Sequence, residues 1–535
     1  MLNNKVLVLL SAILFFSNAV AGTYHLDIAR QDVTITEEPV SAVTINGSIP
    51  GPTLYFKEGE DITIHVTNHM NEDTSIHWHG LLIDPAMDGV PGLNGFPGIK
   101  PGTSFTYQFK IRQSGTYWYH SHSGAQEQAG NYGAIVITPK GKDPIKADRD
   151  YVVLVSDFTT ENEHAILANL KMNSAYYNHA QRTVSDFFHD IKTTGFKTAW
   201  ENARSWGGMR MSQTDLSDVS GYHFLINGKT AAQNWTALFK PGQTVRLRFI
   251  NASAMSFYDV RIPGLSMLVV AADGQNIEPI PIDEFRFGTG ETYDVIVQPR
   301  DTKPYTIMAE PIDRTGFALA TLATQEGVRG DIPQQRPRAL LTMGDMGDVD
   351  MSHMEMTAED MKSGWIDAAT PGDKKALSYR DLRYVGIQKD TRPPDRTIEV
   401  RLGGNMQRYI WTMNGKTYNG MSPIHLAYGE RVRLTFTNET MMAHTMHLHG
   451  MFVQLENGQP SGKLPNKHTV IIPPGQSYSV LLTANEAGEW AFHCHLLYHM
   501  LSGMMNTVVV SKLEKNDIAP ALGLESEKEG HHHAH

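Results

Sequence analysis

Short stretches in which apolar and polar residues alternate, each followed by a turn signal, run along almost the whole chain. They are rich in β-branched and aromatic residues and are separated by Gly, Pro, Asn and Asp, as at Ile62–Asn68 and Val432–Asn438. This period of two residues predicts strands, whereas helical periodicity is confined to stretches such as Glu163–Met172 and Thr183–Asn202. The pattern therefore predicts an all-β protein with helical insertions near its middle.

One combination of turns and strand occurs three times. Each copy has an Asn-Gly pair, which favours a tight turn, then a second glycine-containing turn and an alternating strand that ends in asparagine. The strands end 22, 24 and 24 residues after the first asparagine of each copy. This repeat predicts three tandem β-sandwich domains. The paired asparagines are Asn46 and Asn68, Asn227 and Asn251, and Asn414 and Asn438.

The same pattern divides the chain into segments. Residues 1–21 carry one lysine, an apolar run and a small-residue end, which is typical of a cleaved secretory signal peptide. Residues 326–395 lose strand alternation and gain Pro, Asp and Met, which predicts a Met-rich linker. No later run reaches 18 apolar residues, so we expect no membrane span. The expected domains are residues 22–145, 146–325 and 396–513, and a tail of residues 514–535 ends in histidines.

The net charge and the numbers of Cys, Met and His residues indicate which partners and metals the chain would bind. The chain has 46 Lys and Arg against 57 Asp and Glu, a formal charge of −11, so we expect no nucleic-acid partner. Its single cysteine, Cys494, has no partner within the chain for a disulfide, although the signal peptide predicts export. The 25 methionines and 24 histidines are side chains that softer metals favour.

Histidine recurs in four His-x-His pairs, two in the first predicted domain and two in the third. Residues i and i+2 of a strand point to the same face, so each pair would present two imidazoles in one direction. Packing the two domains together would converge eight imidazoles, which is enough for a multinuclear copper or zinc site. The pairs are His77 and His79, His120 and His122, His447 and His449, and His493 and His495.

Cys494 favours copper over zinc. Two histidines, a thiolate and a weak thioether form the blue-copper arrangement for electron transfer, and His444, His499 and Met504 have the required spacing from Cys494. Met500 and Met505 are the alternatives for the thioether. Because Cys494 lies between two cluster histidines, a short covalent path would join the two sites.

These motifs resemble the multicopper oxidases, and more narrowly the periplasmic copper-resistance oxidases called CopA. The resemblance rests on His77-Trp78-His79-Gly80, on the other three histidine pairs and on the spacing from Cys494 to Met504. It implies three cupredoxin-like Greek-key domains, a periplasmic location and four copper ions: one type 1, one type 2 and two type 3. The resemblance also covers the middle of the chain, at Gln181–Phe188, Asp215–Gly221, Val260–Gly264, Ala271–Gln275 and Glu291–Asp294.

The same resemblance implies a role for each ligand. It places Asp88 near the cluster, where its carboxyl would assist proton delivery to reduced oxygen; a simple turn before Gly89 is the alternative. Some relatives have an acidic residue directly after the second type 1 histidine or one position later, where this chain has Met500 and Leu501. The implied ligands are His444, Cys494, His499 and Met504 for type 1; His77 and His447 for type 2; and His79, His120 and His495, with His122, His449 and His493, for the type 3 pair.

The expected activity is oxidation of Cu(I) to Cu(II), coupled to four-electron reduction of O2 to water. Phenols are candidate second substrates of a laccase-like kind, and a periplasmic copper carrier is a candidate partner. The main alternative is a copper-sequestering protein with incidental oxidase activity. Storage, however, has no need of a cysteine placed between two cluster ligands.

Methionines outside the cluster suggest where substrate copper would bind. Six of them alternate with acidic residues in the linker, where thioethers would bind Cu(I) and carboxylates would attract it. A disordered acidic loop is the alternative. A second candidate site lies beside His444, at Glu439, Met441 and Met442. The linker methionines are Met343, Met346, Met351, Met354, Met356 and Met361.

Overall fold

The computed structural model describes residues 22–209, 212–345, 363–366 and 370–512. The predicted signal peptide and the histidine-ending tail lie outside the described residues, and so do five of the six linker methionines: Met346, Met351, Met354, Met356 and Met361. The described chain is built mainly from strands arranged in six sheets, which confirms the predicted all-β fold class. The longest described helix has 14 residues, and none of the described helices has the length and hydropathy that a bilayer crossing requires.

The first sandwich contains eight strands in two four-stranded sheets. The strands are β1 (Gly22–Val33), β2 (Val40–Ile45), β3 (Gly51–Lys57), β4 (Asp61–Asn68), β5 (His77–His79), β6 (Ser104–Lys110), β7 (Gly115–His120) and β8 (Tyr132–Thr138). One sheet has the order β2-β1-β4-β6 and the other β3-β8-β7-β5. Alternate side chains of β4 are buried, as its sequence pattern predicts.

The second sandwich has a six-stranded and a five-stranded sheet. Its strands are β9 (Arg149–Phe158), β10 (His223–Ile226), β11 (Trp235–Leu238), β12 (Val245–Asn251), β13 (Tyr258–Arg261), β14 (Met267–Ala272), β15 (Gln275–Ile282), β16 (Glu284–Phe287), β17 (Thr292–Val297), β18 (Tyr305–Pro311) and β19 (Ala318–Ala323). The sheet orders are β10-β9-β12-β17-β14-β15 and β11-β19-β18-β13-β16.

The third sandwich repeats this architecture. Its strands are β20 (Arg396–Asn405), β21 (Ile410–Met413), β22 (Ile424–Ala427), β23 (Arg431–Asn438), β24 (His444–Leu448), β25 (Val453–Leu455), β26 (Asn466–Lys467), β27 (Thr469–Ile472), β28 (Ser477–Thr483), β29 (Gly488–Cys494) and β30 (Met505–Ser511). The sheet orders are β21-β20-β23-β28-β25-β26 and β22-β30-β29-β24-β27.

The repeated asparagines form equivalent turns and hydrogen bonds in each sandwich. Asn46, Asn227 and Asn414 all have φ near +50° and precede a glycine with φ near +75°, as a tight turn between antiparallel segments requires. Each also bonds the first strand of its sandwich through both side-chain ends. The second asparagine of each copy fastens the loop beyond its strand, and in the third sandwich Asn438 Nδ2 donates to the Met442 and Ile472 carbonyls. These two hydrogen bonds hold in place the segment between β23 and His444.

The helical insertion lies in the second sandwich. Its helices are α1 (Glu163–Met172), α2 (Val184–Thr194) and α3 (Phe196–Met209), and a short helix α4 (Leu497–Leu501) follows β29 in the third sandwich. The stretch Thr183–Asn202, predicted to be helical, is divided between α2 and α3. Gly195 has φ +86°, which lies outside the helical region, so the chain breaks there and α3 runs on to Met209.

The described parts of the predicted linker contain no strand, but they pack against the sandwiches. Leu341, Trp365 and Leu382 are buried in the same apolar core as the second and third sandwiches. Short 3-10 helices lie at Pro85–Met87, Met343–Asp345, Tyr379–Asp381, Met406–Arg408, Tyr418–Gly420 and Ser461–Lys463.

A buried ion cluster on β13 and β16 gives the first testable prediction. Asp259 accepts hydrogen bonds from Arg286 at 2.7 and 3.0 Å and from Arg314 at 2.6 Å. Although burial raises the pKa of Asp259, these two guanidinium groups lower it to about 2. Asp259→Asn should reduce the free energy of unfolding at pH 7 by roughly 3–5 kcal/mol, because both cations lose their counter-charge.

The pH dependence follows from the direction of this shift. A carboxyl whose folded-state pKa lies below its unfolded value of about 3.9 stabilises the fold above that value. The stabilisation is lost as the pH falls through 4 toward 2. Thermal unfolding of Asp259→Asn and of the parent protein between pH 7 and pH 2 should therefore show a gap that narrows in acid. A gap that stays constant would contradict this account.

Candidate metal centre

The centre is assembled from two strand pairs, one in the first sandwich and one in the third. His77 on β5 lies opposite His120 on β7, and His447 on β24 lies opposite His493 on β29. The prediction that each His-x-His pair shares one strand holds only for β5. The second histidine of each other pair follows the end of its strand, so its direction is set by the loop. These residues are His122, His449 and His495.

The two strand pairs face each other, and their imidazoles interleave. The His77 ring stacks on that of His449 with centroids 3.7 Å apart, and the His79 ring stacks on that of His447 at 3.8 Å. Residues about 370 positions apart in sequence thereby become direct neighbours, for example His122 and His493. All four predicted pairs meet in one cluster.

The ring nitrogens converge closely enough to share metal ions. The Nε2 atoms of His120 and His495 are 3.3 Å apart, and His493 Nε2 lies 3.1 Å from His449 Nε2 and 3.3 Å from His122 Nε2. Further ring nitrogens of the paired histidines are buried and have no hydrogen-bond partner among the described residues, including His495 Nδ1 and three others. The three others are His77 Nε2, His447 Nε2 and His79 Nδ1.

Hydrogen bonds at the opposite nitrogen fix which ring atom faces the cluster. The Nδ1 atoms of His77, His447 and His493 lie 2.9, 2.7 and 2.9 Å from main-chain carbonyls, which can only accept. The proton is therefore held on Nδ1, and the lone pair remains on Nε2. Such bonds orient the imidazole in known metal sites.

Burial favours the neutral, metal-binding form of seven cluster histidines. It lowers the pKa of His493 to about 4, and the neighbouring imidazoles lower the pKa of other cluster histidines further. Neutral imidazoles provide lone pairs over the physiological pH range. Burial likewise lowers the pKa of His79, His120, His122, His447, His449 and His495 well below the ordinary value.

Asp88 lies against two of the cluster histidines. Its Oδ2 is 2.9 Å from His449 Nδ1 and its Oδ1 is 3.3 Å from His77 Nδ1, and the side chain is 2% exposed. Gly89 makes this approach feasible, because a Cβ at that position would lie 1.8 Å from the Ile76 carbonyl oxygen. Asp88 therefore touches one histidine from each outer sandwich.

A second, smaller site lies at the end of β29. Cys494 Sγ is 3.6 Å from His444 Nδ1 and 3.7 Å from His499 Nδ1, and the two nitrogens are 3.1 Å apart. Burial raises the pKa of the Cys494 thiol to about 12, so a metal ion would have to displace its proton. Met504 is fully buried, and its carbonyl accepts the Cys494 N–H bond; Met500 and Met505 are partly exposed.

The outer nitrogens of the two histidines in this site have different partners. Thr440 Oγ1 lies 2.9 Å from His444 Nε2, whereas Asp218 Oδ2 lies 2.5 Å from His499 Nε2. Tyr409 also donates to Asp218, at 2.8 Å. The middle sandwich supplies this carboxylate. Sequence reasoning missed it because nothing in its local pattern distinguishes it.

Two more residues at the cluster were not predicted. His468 is 1% exposed at its side chain, its ring lies 4.8 Å from that of His79, and its Nε2 has no hydrogen-bond partner among the described residues. Glu127 Oε2 lies 2.8 Å from His120 Nδ1. Neither residue belongs to a His-x-His pair or has a ligand spacing, so the sequence offers no signal for them.

The predicted substrate residues separate in the structure. Met441 and Met442 are buried and line a cavity of about 580 Å³, together with Met406 and Asp215. Glu439 instead has a side chain 49% exposed and lies 3.8 Å from an arginine, Arg401, on β20. Of the linker methionines, the described one, Met343, is buried in a 3-10 helix.

Comparisons with known proteins bear on this arrangement. Sequence profiles of the multicopper oxidases match residues 27–142, 149–327 and 391–514. The chain is 43% identical to copper resistance protein A of Escherichia coli, over 91% of this chain and 92% of that protein. It is 42% identical to a copper resistance protein A homolog of Pseudomonas syringae pv. tomato, over 92% and 93%.

Solved structures add support for the fold. The structure of Fet3p, a multicopper oxidase that functions in iron import, matches with a TM-score of 0.69 and 19% identity. The match covers 94% of this chain and 96% of that chain. At this identity the likeness shows a shared three-sandwich architecture and no more.

Proposed function

Because the chain belongs to the multicopper oxidase family, we propose that it is a periplasmic enzyme of copper resistance that oxidises Cu(I) to Cu(II) and reduces O2 to water. Membership confirms the resemblance seen in the sequence and makes the chain a copper-containing oxidoreductase that uses O2. The comparisons favour this activity over the copper-sequestering alternative. The observation that carries the proposal is that Cys494 contacts the imidazoles of His444 and His499. In sequence it stands directly between two cluster histidines, His493 and His495.

The donor atoms fit copper. A thiol and two imidazoles within 3.1–3.7 Å of one another, with a buried thioether nearby in sequence, are the donors of a blue-copper site. Buried nitrogens without partners, such as His77 Nε2 and His447 Nε2, would be costly unless a ligand satisfied them. Both features support resident copper.

We assign four copper ions to these donors. His444, Cys494 and His499 would hold the type 1 ion, with Met504 as the candidate thioether, and Nε2 of His77 and His447 would hold the type 2 ion. When bound, the four ions would supply storage of four electrons and a site for O2. The type 3 ligands would be His79, His120 and His495 for one ion and His122, His449 and His493 for the other.

The residues themselves define how electrons and protons would reach the cluster. Cys494 is bonded through the main chain to His493 on one side and His495 on the other, so one covalent path serves both type 3 ligand sets. Asp88 is buried against His77 and His449 and is placed to hand protons to reduced oxygen. The overall reaction consumes four Cu(I), one O2 and four protons and gives four Cu(II) and two waters.

The cavity beside the type 1 residues suits Cu(I). Three thioethers, those of Met406, Met441 and Met442, line it, and thioethers are soft ligands that select Cu(I). Burial and the nearby Asp218 raise the pKa of Asp215 in the cavity wall to about 6, and an entering cation would favour the charged carboxylate. Asp218, which lies close to Asp215, also contacts His499.

Removal of the thioethers tests the substrate. The double variant Met441→Leu, Met442→Leu should raise the KM for Cu(I) about tenfold, equivalent to about 1.4 kcal/mol of binding free energy. Its turnover of a bulky phenol should change little, because leucine preserves the volume and apolar character of the wall. Oxygen uptake by the copper-loaded protein measures both activities.

The matched control is Glu439→Gln, which removes a charge close in sequence but on the exposed side. It should leave the KM for Cu(I) unchanged. Equal losses with Cu(I) and with the phenol in the double variant would show that the cavity is not a copper site. In that case a phenol oxidase of the laccase kind would be the better assignment. Supply of Cu(I) by a periplasmic carrier stays a prediction.

A further inference from the structure

We propose that Glu127 is a positioning residue of the metal centre: its carboxylate orients His120 and places a negative charge beside one type 3 copper. The inference rests on the proposed function, because it takes His120 as a type 3 ligand. It goes beyond that function in assigning a role to a buried carboxylate that no ligand motif contains.

The first observation is the contact itself. Glu127 Oε2 lies 2.8 Å from His120 Nδ1, and both side chains are at most 3% exposed. Nδ1–H donates to the Ser121 carbonyl at 3.0 Å, and the carboxylate oxygen of Glu127 lies beside the same nitrogen. This bond leaves the lone pair of His120 on Nε2, the atom that faces His495 Nε2 at 3.3 Å. Trp118 stacks on the imidazole at 4.3 Å and blocks rotation of the ring.

A tightly bonded loop holds Glu127 in place. Gly130 N–H donates to the Glu127 carbonyl, and Asn131 N–H donates to the carbonyl of Gln126. The Gln126 side chain accepts hydrogen bonds from Thr74 and Ser121, which closes the loop against the strand that carries His120. The carboxylate is therefore fixed by its backbone as well as by the histidine.

The second observation is that no Lys or Arg side chain pairs with the Glu127 carboxyl among the described residues. Its one ion-pair contact recorded within the described residues is with His120, and Oε1 has no hydrogen-bond partner there. A buried carboxylate without a cation is costly. A metal ion bound at His120 would supply the missing positive charge through the imidazole.

The third observation is the correspondence with Asp88. Each proposed type 3 ligand set has one imidazole whose Nδ1 meets a buried carboxylate: His449 meets Asp88 at 2.9 Å, and His120 meets Glu127 at 2.8 Å. A carboxylate bonded to a ligating imidazole raises the basicity of that ligand. The two carboxylates would thus stabilise the oxidised form of both type 3 ions.

The test compares three variants of the full-length, copper-loaded protein. Glu127→Gln keeps an acceptor oxygen but removes the charge, and Glu127→Leu removes both. Glu163→Gln is the control, since Glu163 is also buried and pairs with Arg30 rather than with a cluster histidine. The readouts are copper per chain, the fraction of copper visible by electron paramagnetic resonance, and the midpoint of reductive titration of the type 3 absorption.

We expect Glu127→Leu to lose copper to a chelator roughly 10–100-fold more readily, the range for lost partners of metal ligands. It should also convert part of the spin-coupled type 3 pair into visible copper. Glu127→Gln should keep the coupled pair and shift its midpoint to a more positive potential. The control should match the parent protein in all three measurements.

Two results would overturn the proposal. In one, Glu127→Leu matches the parent in copper content, spin coupling and midpoint. In the other, Glu163→Gln loses as much copper as Glu127→Leu, which would indicate a general effect of removing a buried carboxylate. Failure of the proposed function looks different: the parent protein itself would then show no spin-coupled copper, before any variant is compared.

Discussion

Cys494→Ser should abolish oxygen uptake with Cu(I) and with phenols, to the level of protein-free buffer. Serine is smaller and its hydroxyl is a poor ligand for copper, so the type 1 ion loses its thiolate and the covalent path loses its entrance. The same change should remove the blue absorption, which requires a copper–thiolate bond. The cluster ligands are untouched, so about three of the four coppers per chain should remain.

A neighbouring thioether provides the control for this variant. Met500→Leu changes a partly exposed residue in α4, one position from His499, without touching the thiol. It should keep the blue absorption and the activity, provided that Met504 is the axial residue. Substantial oxygen uptake by Cys494→Ser would mean that electrons reach the cluster by another route, and the proposed mechanism would then be wrong.

Asp88→Ala should have the second-largest effect, a fall in turnover of roughly 10²–10⁴-fold, the range for loss of a positioned acid or base. Asp88 Oδ2 contacts Nδ1 of His449, so its removal also frees that imidazole to rotate, whereas the main-chain carbonyl of residue 88 still holds His77. The KM for Cu(I) should change little, because the substrate cavity is lined by other residues. Steady-state oxygen uptake at varied Cu(I) separates the two constants.

Asp88→Asn distinguishes positioning from proton delivery. Asparagine keeps the size of the side chain and an acceptor oxygen, so the imidazoles stay in place and copper content should be normal. If proton delivery is the main role, turnover should fall nearly as far as in Asp88→Ala. Full turnover in Asp88→Asn would assign Asp88 to positioning alone.

The sequence is most informative where a residue type has one local use. Asn-Gly pairs predict tight turns because few other pairs accept positive φ at two successive positions, and all three form as predicted. The His-x-His pairs and the spacing around Cys494 predict their convergence because so many ligand residues at regular spacing serve little else. The alternation of β4 and β23 likewise marks strands with one buried face, whereas β12 is buried on both faces because its alternate residues Arg246 and Arg248 pair with buried Asp294.

Contacts made between distant segments leave no such trace. Asp218 and His499 are 281 residues apart, and nothing near either one specifies their 2.5 Å contact. Glu127 and His468 are single polar residues whose roles arise only when the sandwiches pack. Glu439 shows the reverse error: its nearness in sequence to His444 suggested a shared site, but its side chain points toward Arg401 and solvent.

His79 interleaves with His447, and His120 with His495. The proposed copper ions would therefore lie at the interface between the first and third sandwiches, which are far apart in the chain. The first sandwich is synthesised before the third and carries half of the eight cluster histidines. The cluster becomes a binding site only after the last sandwich has folded and docked, so metallation has to be the final event of maturation. Copper captured earlier would meet histidine pairs without their counterparts and would be held weakly. The fold thereby imposes an order of assembly, in which folding precedes metal.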